Sequence, residues 1–143
     1  MIIKSLHIKS FGGLTDRVID LSDGVNVICG MNESGKSSAA MFIKFIFYGL
    51  SSKNGKNSRI SERKKYVNKN SGEASGYIMA DTDDGIPYRI ERSLSVSDSA
   101  GIHEQIRIIC ASTGEAVTAM NPGEYFFKVP EEVFVNSCFV SQQ

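Results

Sequence analysis

A stretch of eight residues has the composition and spacing of a phosphate-binding loop. Residues 30–37 have the sequence Gly-Met-Asn-Glu-Ser-Gly-Lys-Ser, which fits the P-loop pattern G-x-x-x-x-G-K-[ST]. Gly30 and Gly35 carry no Cβ, so the backbone between them can curve closely around a phosphate group. Successive backbone N–H groups in such a loop, with a helix N-terminus behind them, form a site for an anion.

The residues at the end of the motif have the functional groups that a nucleoside triphosphate with Mg²⁺ requires. Lys36 would place a flexible cation between the β- and γ-phosphates. Ser37 would offer its hydroxyl to Mg²⁺, and Ser38 would hold the α-phosphate. The predicted nucleotide-binding residues are Gly30, Asn32, Glu33, Ser34, Gly35, Lys36, Ser37 and Ser38.

The segments on both sides of the motif have the character that a P-loop needs. Residues 25–29 are short, β-branched and almost all apolar, which is typical of a buried strand. Residues 36–48 are apolar around most of a helical circumference, so we expect a helix that is buried on more than one side. Gly49 follows as a natural helix terminator.

The remaining segments predict an α/β fold in which much of the sheet is antiparallel. Two strands are expected before the motif, over residues 2–11 and 15–21, joined by a Gly12-Gly13 turn. After the helix, alternating patterns predict strands over residues 77–80, 88–94 and 105–111, separated by turns. Short helical pieces are expected over residues 122–127 and 130–135, followed by an extended segment from Cys138 to Ser141.

A polar, basic segment covers residues 51–76 and predicts a long, flexible surface loop with little regular structure. Seven of the sixteen basic residues lie here: Lys53, Lys56, Arg59, Arg63, Lys64, Lys65 and Lys69. Such a stripe could contact DNA phosphates, or its charges could simply keep a solvated loop soluble.

Overall composition narrows the classes of protein to which the chain could belong. Sixteen Lys and Arg balance sixteen Asp and Glu in 143 residues, which excludes a wholly basic nucleic-acid-binding surface. Three widely spaced cysteines argue against a disulfide framework or a zinc site and predict a cytoplasmic protein. The longest apolar run is too short to span a bilayer, so we expect no membrane partner. His7 is expected on the polar face of the first strand as a surface histidine, and neither it nor His103 has a partner at metal-ligand spacing.

Several short stretches occur in the order found in one known family. They are Phe11-Gly12, Asp20-Leu21, residues 24–28, Asn32-Glu33-Ser34-Gly35-Lys36-Ser37, Phe47-Tyr48-Gly49-Leu50 and Tyr88-Arg89-Ile90-Glu91-Arg92. Together they resemble the N-terminal ATPase lobe of the SMC-like ATPases, in particular the SbcC-like double-strand-break-repair branch and YhaN-like AAA proteins. The resemblance implies a P-loop NTPase of ABC type with a mixed sheet and an antiparallel β subdomain. It also implies ATP and Mg²⁺ as cofactors.

The resemblance also implies roles for residues outside the P-loop. The family's Q-loop glutamine binds Mg²⁺ and senses the γ-phosphate; Gln142 matches it, with Gln143 as the alternative. Lys36 and Gln142 are therefore the catalytic candidates, and Ser37 and Gln142 are the candidate metal ligands. The equivalent of the basic segment carries a DNA-linked residue, for which Arg59 and Arg63 are the candidates; residues 61–65 could instead contact the adenine or ribose.

Departures from the family pattern predict an incomplete ATPase. Some relatives carry a basic residue that contacts the nucleotide where this chain has Gly12. The signature motif, the Walker B acidic pair and the switch histidine are missing, and no heptads of a coiled coil are present. We therefore expect residues 1–143 to be an N-terminal lobe that hydrolyses ATP only with its C-terminal lobe and a second head. DNA and a nuclease subunit are the further partners that the resemblance implies.

Two other functions fit the P-loop. A small-molecule kinase or GTPase would have a parallel βαβ series and an acidic strand, for which the pattern gives no candidate. A non-catalytic regulatory module would keep the nucleotide fold only as a scaffold. The intact Gly35-Lys36-Ser37 argues against the second alternative without excluding it.

Overall fold

A computed structural model of the protein describes residues 1–24, 26, 36–53 and 61–138, with Lys36 and Ser37 described by their backbone alone. Six strands form one sheet in the order β2-β1-β3-β4-β5-β6, and every pairing between them is antiparallel. Their bounds are β1 (Ile2–Phe11), β2 (Leu14–Asp20), β3 (Glu73–Asp81), β4 (Pro87–Ser97), β5 (Gly101–Cys110) and β6 (Ala116–Val117).

One face of the sheet carries a continuous apolar row. Leu6 pairs with Ile78, Ile78 with Ile90, and Ile90 with Ile108, so four strands contribute adjacent side chains. All four side chains are almost fully buried. Because side chains alternate across a strand, this register turns the intervening polar residues to the opposite face.

Four helices accompany the sheet, and the longest lies directly on the apolar row. They are α1 (Lys36–Tyr48), α2 (Glu62–Tyr66), α3 (Pro122–Phe127) and α4 (Glu131–Cys138). Phe42 of α1 packs against the sheet at Gly76, where a Cβ would come within 2.7 Å of the phenylalanine ring. Gly49, with φ +85°, ends the helix as expected.

The opposite side of α1 is covered by α3 and α4. The ring centroid of Phe47 lies 4.8 Å from that of Phe127 and 6.4 Å from that of Phe134. The Tyr48 hydroxyl donates a hydrogen bond to the Val129 carbonyl at 2.8 Å. α1 is therefore a central layer, which is why its sequence is apolar around most of its circumference.

The structure confirms several predicted elements and corrects others. The bounds of α1 and α3 agree with the prediction, and the strand–turn–strand over residues 77–94 is present with longer strands. The prediction of little regular structure over residues 51–76 is wrong for residues 61–76, which contain α2 and the start of β3. Cys138 lies in α4 rather than in an extended segment, and β6 was not predicted.

The predicted mixed sheet is confirmed only in its antiparallel part. The expected strand over residues 25–29 lies outside the described residues apart from Asn26, so the described sheet contains no parallel pair. Among the helices in the described part of the chain, none combines the length and apolarity needed to cross a membrane.

Candidate functional site

The helix that the P-loop motif requires begins where the motif ends. α1 starts at Lys36, and Ser37 and Ser38 complete its first turn. The first backbone N–H groups of a helix have no intrahelical acceptor, and the helix dipole places partial positive charge there. The beginning of α1 therefore suits an anion, as the motif predicts.

The other predicted site residues lie outside the described residues. They are Gly30, Asn32, Glu33, Ser34, Gly35, Arg59 and Gln142. The roles assigned to them, and to the side chains of Lys36 and Ser37, remain predictions.

The turn between β1 and β2 lies beside the first turn of α1. Gly12, at φ +58°, occupies this turn, and a Cβ there would lie 3.8 Å from Ser38 Oγ. The same Cβ would lie 3.5 Å from Cδ1 of Tyr66. Three segments far apart in sequence thus meet near the start of α1: the Gly12 turn, the α1 N-terminus and the end of α2.

Tyr66, at the end of α2, and Asn68, just after it, both form hydrogen bonds with the backbone of Gly12. The Gly12 N–H donates to the Tyr66 carbonyl at 2.6 Å, and the Asn68 side-chain amide donates to the Gly12 carbonyl at 3.0 Å. The sequence pattern did not predict that Tyr66 and Asn68 would bond the Gly12 turn. The signal that could have pointed to Tyr66 is that it is the one aromatic residue within the basic segment.

Tyr66 anchors α2 in the core. Its ring stacks on Phe11 with centroids 4.9 Å apart and an interplanar angle of 10°, and the residue is buried. Because this face of the ring is already covered, it cannot serve as a platform for a nucleotide base. The tyrosine instead holds α2 next to the β1–β2 turn.

A buried cation joins α1 to both neighbouring short helices. The Lys44 side chain is 3 % exposed, and its Nζ lies 2.5 Å from Glu62 Oε2 of α2 and 2.7 Å from Glu131 Oε1 of α4. Glu62 Oε2 also accepts a hydrogen bond from the Ser51 backbone N–H at 2.8 Å. Glu62 therefore links the end of α1 and the start of α2 through one carboxylate oxygen.

Arg63 is the candidate DNA-contact residue that the structure describes. Its Nε donates to the Leu50 carbonyl at 3.3 Å, so part of the guanidinium is engaged within the protein. Arg63 also lines an open cavity of about 630 Å³ together with Lys64 and Lys69. The apolar part of this cavity includes Val96 and Ile102, which are both exposed at the β4–β5 hairpin.

A second open cavity of about 500 Å³ lies on the sheet face opposite the apolar row. Here His7 stacks on Tyr77 with ring centroids 4.2 Å apart, and the Arg89 guanidinium lies 3.7 Å from the Tyr77 ring centroid. Ser5 Oγ lies within hydrogen-bond distance of His7 Nε2, at 2.8 Å. His7 thus lies on the polar sheet face as expected, but it is half-buried and contacts Tyr77 and Ser5.

Comparison with known proteins identifies a matching family and several relatives of this chain. A family model described as an AAA domain matches residues 5–140. The "uncharacterized protein YhaN" of Bacillus subtilis is 29 % identical over 104 residues, which cover 72 % of this chain and 10 % of that protein.

Two archaeal proteins named "DNA double-strand break repair Rad50 ATPase" also match. The Thermoplasma volcanium protein is 26 % identical over 147 residues, covering 99 % of this chain and 15 % of that protein. The Archaeoglobus fulgidus protein is 42 % identical over 50 residues, covering 35 % of this chain and 6 % of that protein. The chain thus matches only a small part of the length of each of these relatives. Together with the family match, they confirm the resemblance to SMC-like ATPases.

Proposed function

Because this chain belongs to the AAA domain family, we propose that it binds Mg-ATP as the N-terminal half of an SMC-like ATPase head. The observation that carries the proposal is the start of α1 at Lys36, at the end of a glycine-rich phosphate-binding motif. The two archaeal relatives are named as ATPases of DNA double-strand break repair, so we place this chain in DNA repair or DNA metabolism.

In this proposal the nucleotide lies at the start of α1. Ser38 lies next to the Gly12 turn, where a Cβ would come 3.8 Å from its Oγ, and we propose that its hydroxyl donates to the α-phosphate. Lys36 and the backbone amides of residues 30–35 would hold the β- and γ-phosphates, and Ser37 and Gln142 would hold the metal ion. Bound Mg²⁺ would neutralise charge on the phosphate oxygens.

Hydrolysis requires more than a phosphate site. Phosphoryl transfer also needs a positioned water and stabilisation of the charge in the transition state. We propose that a C-terminal lobe and a second head in a dimer supply these groups. A nuclease is a further proposed partner of the assembled protein.

We further propose that the protein contacts DNA through basic residues after α1. Arg63, Lys64 and Lys69 surround one open cavity, which would place three cations near a phosphate backbone. Arg59 is the second proposed contact.

No comparable observation supports the alternative of a small-molecule kinase. All strand pairs in the described residues are antiparallel, so they would not form a βαβ series.

Thermal unfolding with and without Mg-ATP tests nucleotide binding. At a ligand concentration about a hundredfold above Kd, binding should stabilise the fold by about 2.7 kcal/mol and raise Tm by roughly 5–10 °C. Lys36→Ala should abolish most of this rise because the phosphates lose their cation. Lys9→Ala, which removes a lysine of β1 that is 72 % exposed and has no proposed nucleotide or DNA contact, is the matched control and should retain the rise.

The result also separates the alternatives. No rise in Tm for the unaltered protein would support a scaffold without nucleotide. An equal rise in the unaltered protein and in Lys36→Ala would show that the P-loop is not the site.

A further inference from the structure

Two apolar side chains lie exposed in the cavity that Arg63, Lys64 and Lys69 line. Val96 and Ile102 are 40 % and 54 % exposed, and both contribute to the surface of this cavity of about 630 Å³. Contacts with a phosphate backbone come from cations and polar groups and need no apolar partner. The proposed contact with DNA phosphates therefore accounts for the cations but not for the two apolar residues.

The register of the β4–β5 hairpin places the two residues side by side. Val96 pairs directly with Ile102, and Leu94, two residues earlier in β4, is buried in the core. Because side chains alternate along a strand, Val96 and Ile102 continue the apolar face of the sheet beyond Leu94. Single exposed apolar residues are common on protein surfaces. An adjacent pair within a cavity is instead a candidate contact surface.

Hydrogen bonds hold the basic segment next to this pair. The Val96 N–H donates to the Gly72 carbonyl at 2.8 Å, and the Gly72 N–H donates to the Asn68 carbonyl at 2.8 Å. Lys69 lies within the turn that these bonds close, and it is exposed. Within the described part of the chain, the residues that line the cavity include three cations and no carboxylate. The cavity therefore suits a polyanion that also has an apolar surface.

Single-stranded DNA has both of these properties. In a continuous duplex the faces of the bases are stacked on one another, whereas an unpaired base can offer its face to a protein side chain. Aliphatic side chains, isoleucine among them, can pack against base faces that are unstacked. We propose that the cavity binds single-stranded DNA, with its cations on the phosphates and with Val96 and Ile102 against the face of a base. This inference rests on the proposed contact with DNA.

Fluorescence anisotropy compares the Kd values of the 143-residue chain for two DNA probes. One probe is a short labelled thymidine oligonucleotide, and the other is a G·C-rich blunt duplex of the same length. The unaltered chain should bind the single strand more tightly than the duplex. The double variant Val96→Thr, Ile102→Thr should weaken binding of the single strand by about tenfold, as expected for the loss of about one buried methylene at each residue, and leave duplex binding unchanged.

Two further variants separate the apolar contact from the contacts with phosphates. Ile86→Thr is the matched control, because Ile86 is 39 % exposed and lies in the β3–β4 turn outside this cavity. It should retain the unaltered Kd for both probes. Lys69→Ala should weaken the binding of both probes, since it removes a phosphate contact, and should reduce the salt slope of each by about 1. Threonine is β-branched, so the variants in the hairpin keep the strand preference, and their Tm is measured in parallel.

Three results would overturn the inference. The double variant could retain full affinity for the single strand, which would show that the apolar pair makes no contact with a base. It could lose affinity for both probes equally, which would show that the pair does not distinguish unpaired bases. The unaltered chain could bind the duplex at least as tightly as the single strand. Binding of neither probe would instead refute the proposed contact with DNA.

Discussion

The environment of His7 shows how the sheet register brings together residues that are far apart in the sequence. β1 and β3 pair His7 with Tyr77, seventy positions apart in the sequence, and this register stacks the two rings. Burial lowers the pKa of His7 below its usual 6.5; the carboxylate of Asp20 opposes this shift, and Arg89 adds to it. The folded protein therefore favours the neutral imidazole.

The lowered pKa of His7 predicts a loss of stability on acidification. Below about pH 6.5 the unfolded chain binds a proton at this histidine before the folded protein does, so the free energy of unfolding falls with pH. The fall from this source ends below the pKa of the folded state. His7→Gln should therefore lose less Tm than the unaltered protein between about pH 7.5 and about pH 5.

Thermal unfolding at the two pH values tests this prediction, with His103→Gln as the matched control. His103 lies exposed on β5, away from the Tyr77 stack. A pH dependence that is unchanged in His7→Gln, or reduced to the same extent in both variants, would contradict the assigned cause.

At the candidate site, the motif predicts a role for Ser38 but not the position of Gly12 beside it. The P-loop pattern was sufficient to predict a role for Ser38, because the motif fixes its position relative to the helix start. The proximity of Gly12 to Ser38, and the hydrogen bonds from Tyr66 and Asn68 to that turn, depend on contacts between distant segments. No local pattern in the sequence contains this information.

Among the contacts between elements, the one that Arg92 of β4 makes with α1 is the least expected from the sequence pattern. Arg92 faces the core between Ile90 and Leu94, and it is only 5 % exposed. Its Nε donates to the Ile46 carbonyl of α1 at 3.2 Å, and its Nη1 donates to Glu104 at 2.7 Å. Burial lowers the pKa of Arg92, whereas Glu104 opposes that shift.

Arg92 should be important for the attachment of the C-terminal end of α1. Arg92→Ala leaves the Ile46 carbonyl without its donor and Glu104, whose side chain is 32 % exposed, without its cation. Loss of a hydrogen bond that involves a charged group costs about 1.5–3 kcal/mol. Arg107→Ala is the control, because Arg107 is 67 % exposed and lies 3.6 Å from Glu91 in a surface pair. The control should lose about 0–1 kcal/mol in chemical denaturation.

The denaturation midpoints of Arg92→Ala and Arg107→Ala test this prediction. Similar losses for the two arginine variants would show that the buried contacts of Arg92 contribute no more than a surface pair.

The elements also differ in how far the sequence determines them. α1 was predicted with the correct bounds because thirteen residues repeat an apolar pattern and Gly49 ends it. α2 has five residues, four of them charged, and its one anchor is Tyr66, so a periodicity argument could not detect it. β6 has two residues and exists only through its pairing with β5.

At the scale of the whole molecule, the described residues form three layers. The sheet is the first, α1 the second, and α3 with α4 the third. Two phenylalanines on α1 face the two outer layers: Phe42 contacts Phe11 of the sheet, and Phe47 contacts Phe127 and Phe134. Both residues are fully buried, so each removes a comparable apolar surface from water.

This layering predicts that equivalent substitutions on the two sides of α1 release different parts of the fold. Phe47→Ala and Phe42→Ala should each cost about 3–5 kcal/mol, because each leaves a cavity in a packed interior. In Phe47→Ala, hydrogen exchange should accelerate mainly in α3 and α4, since these short helices depend on the aromatic contact and the strands retain their pairing. In Phe42→Ala, exchange should accelerate first in β1 and β3, next to Phe11 and Gly76. Equal acceleration in the sheet and in the short helices of both variants would instead mean that the layers open together as one cooperative unit.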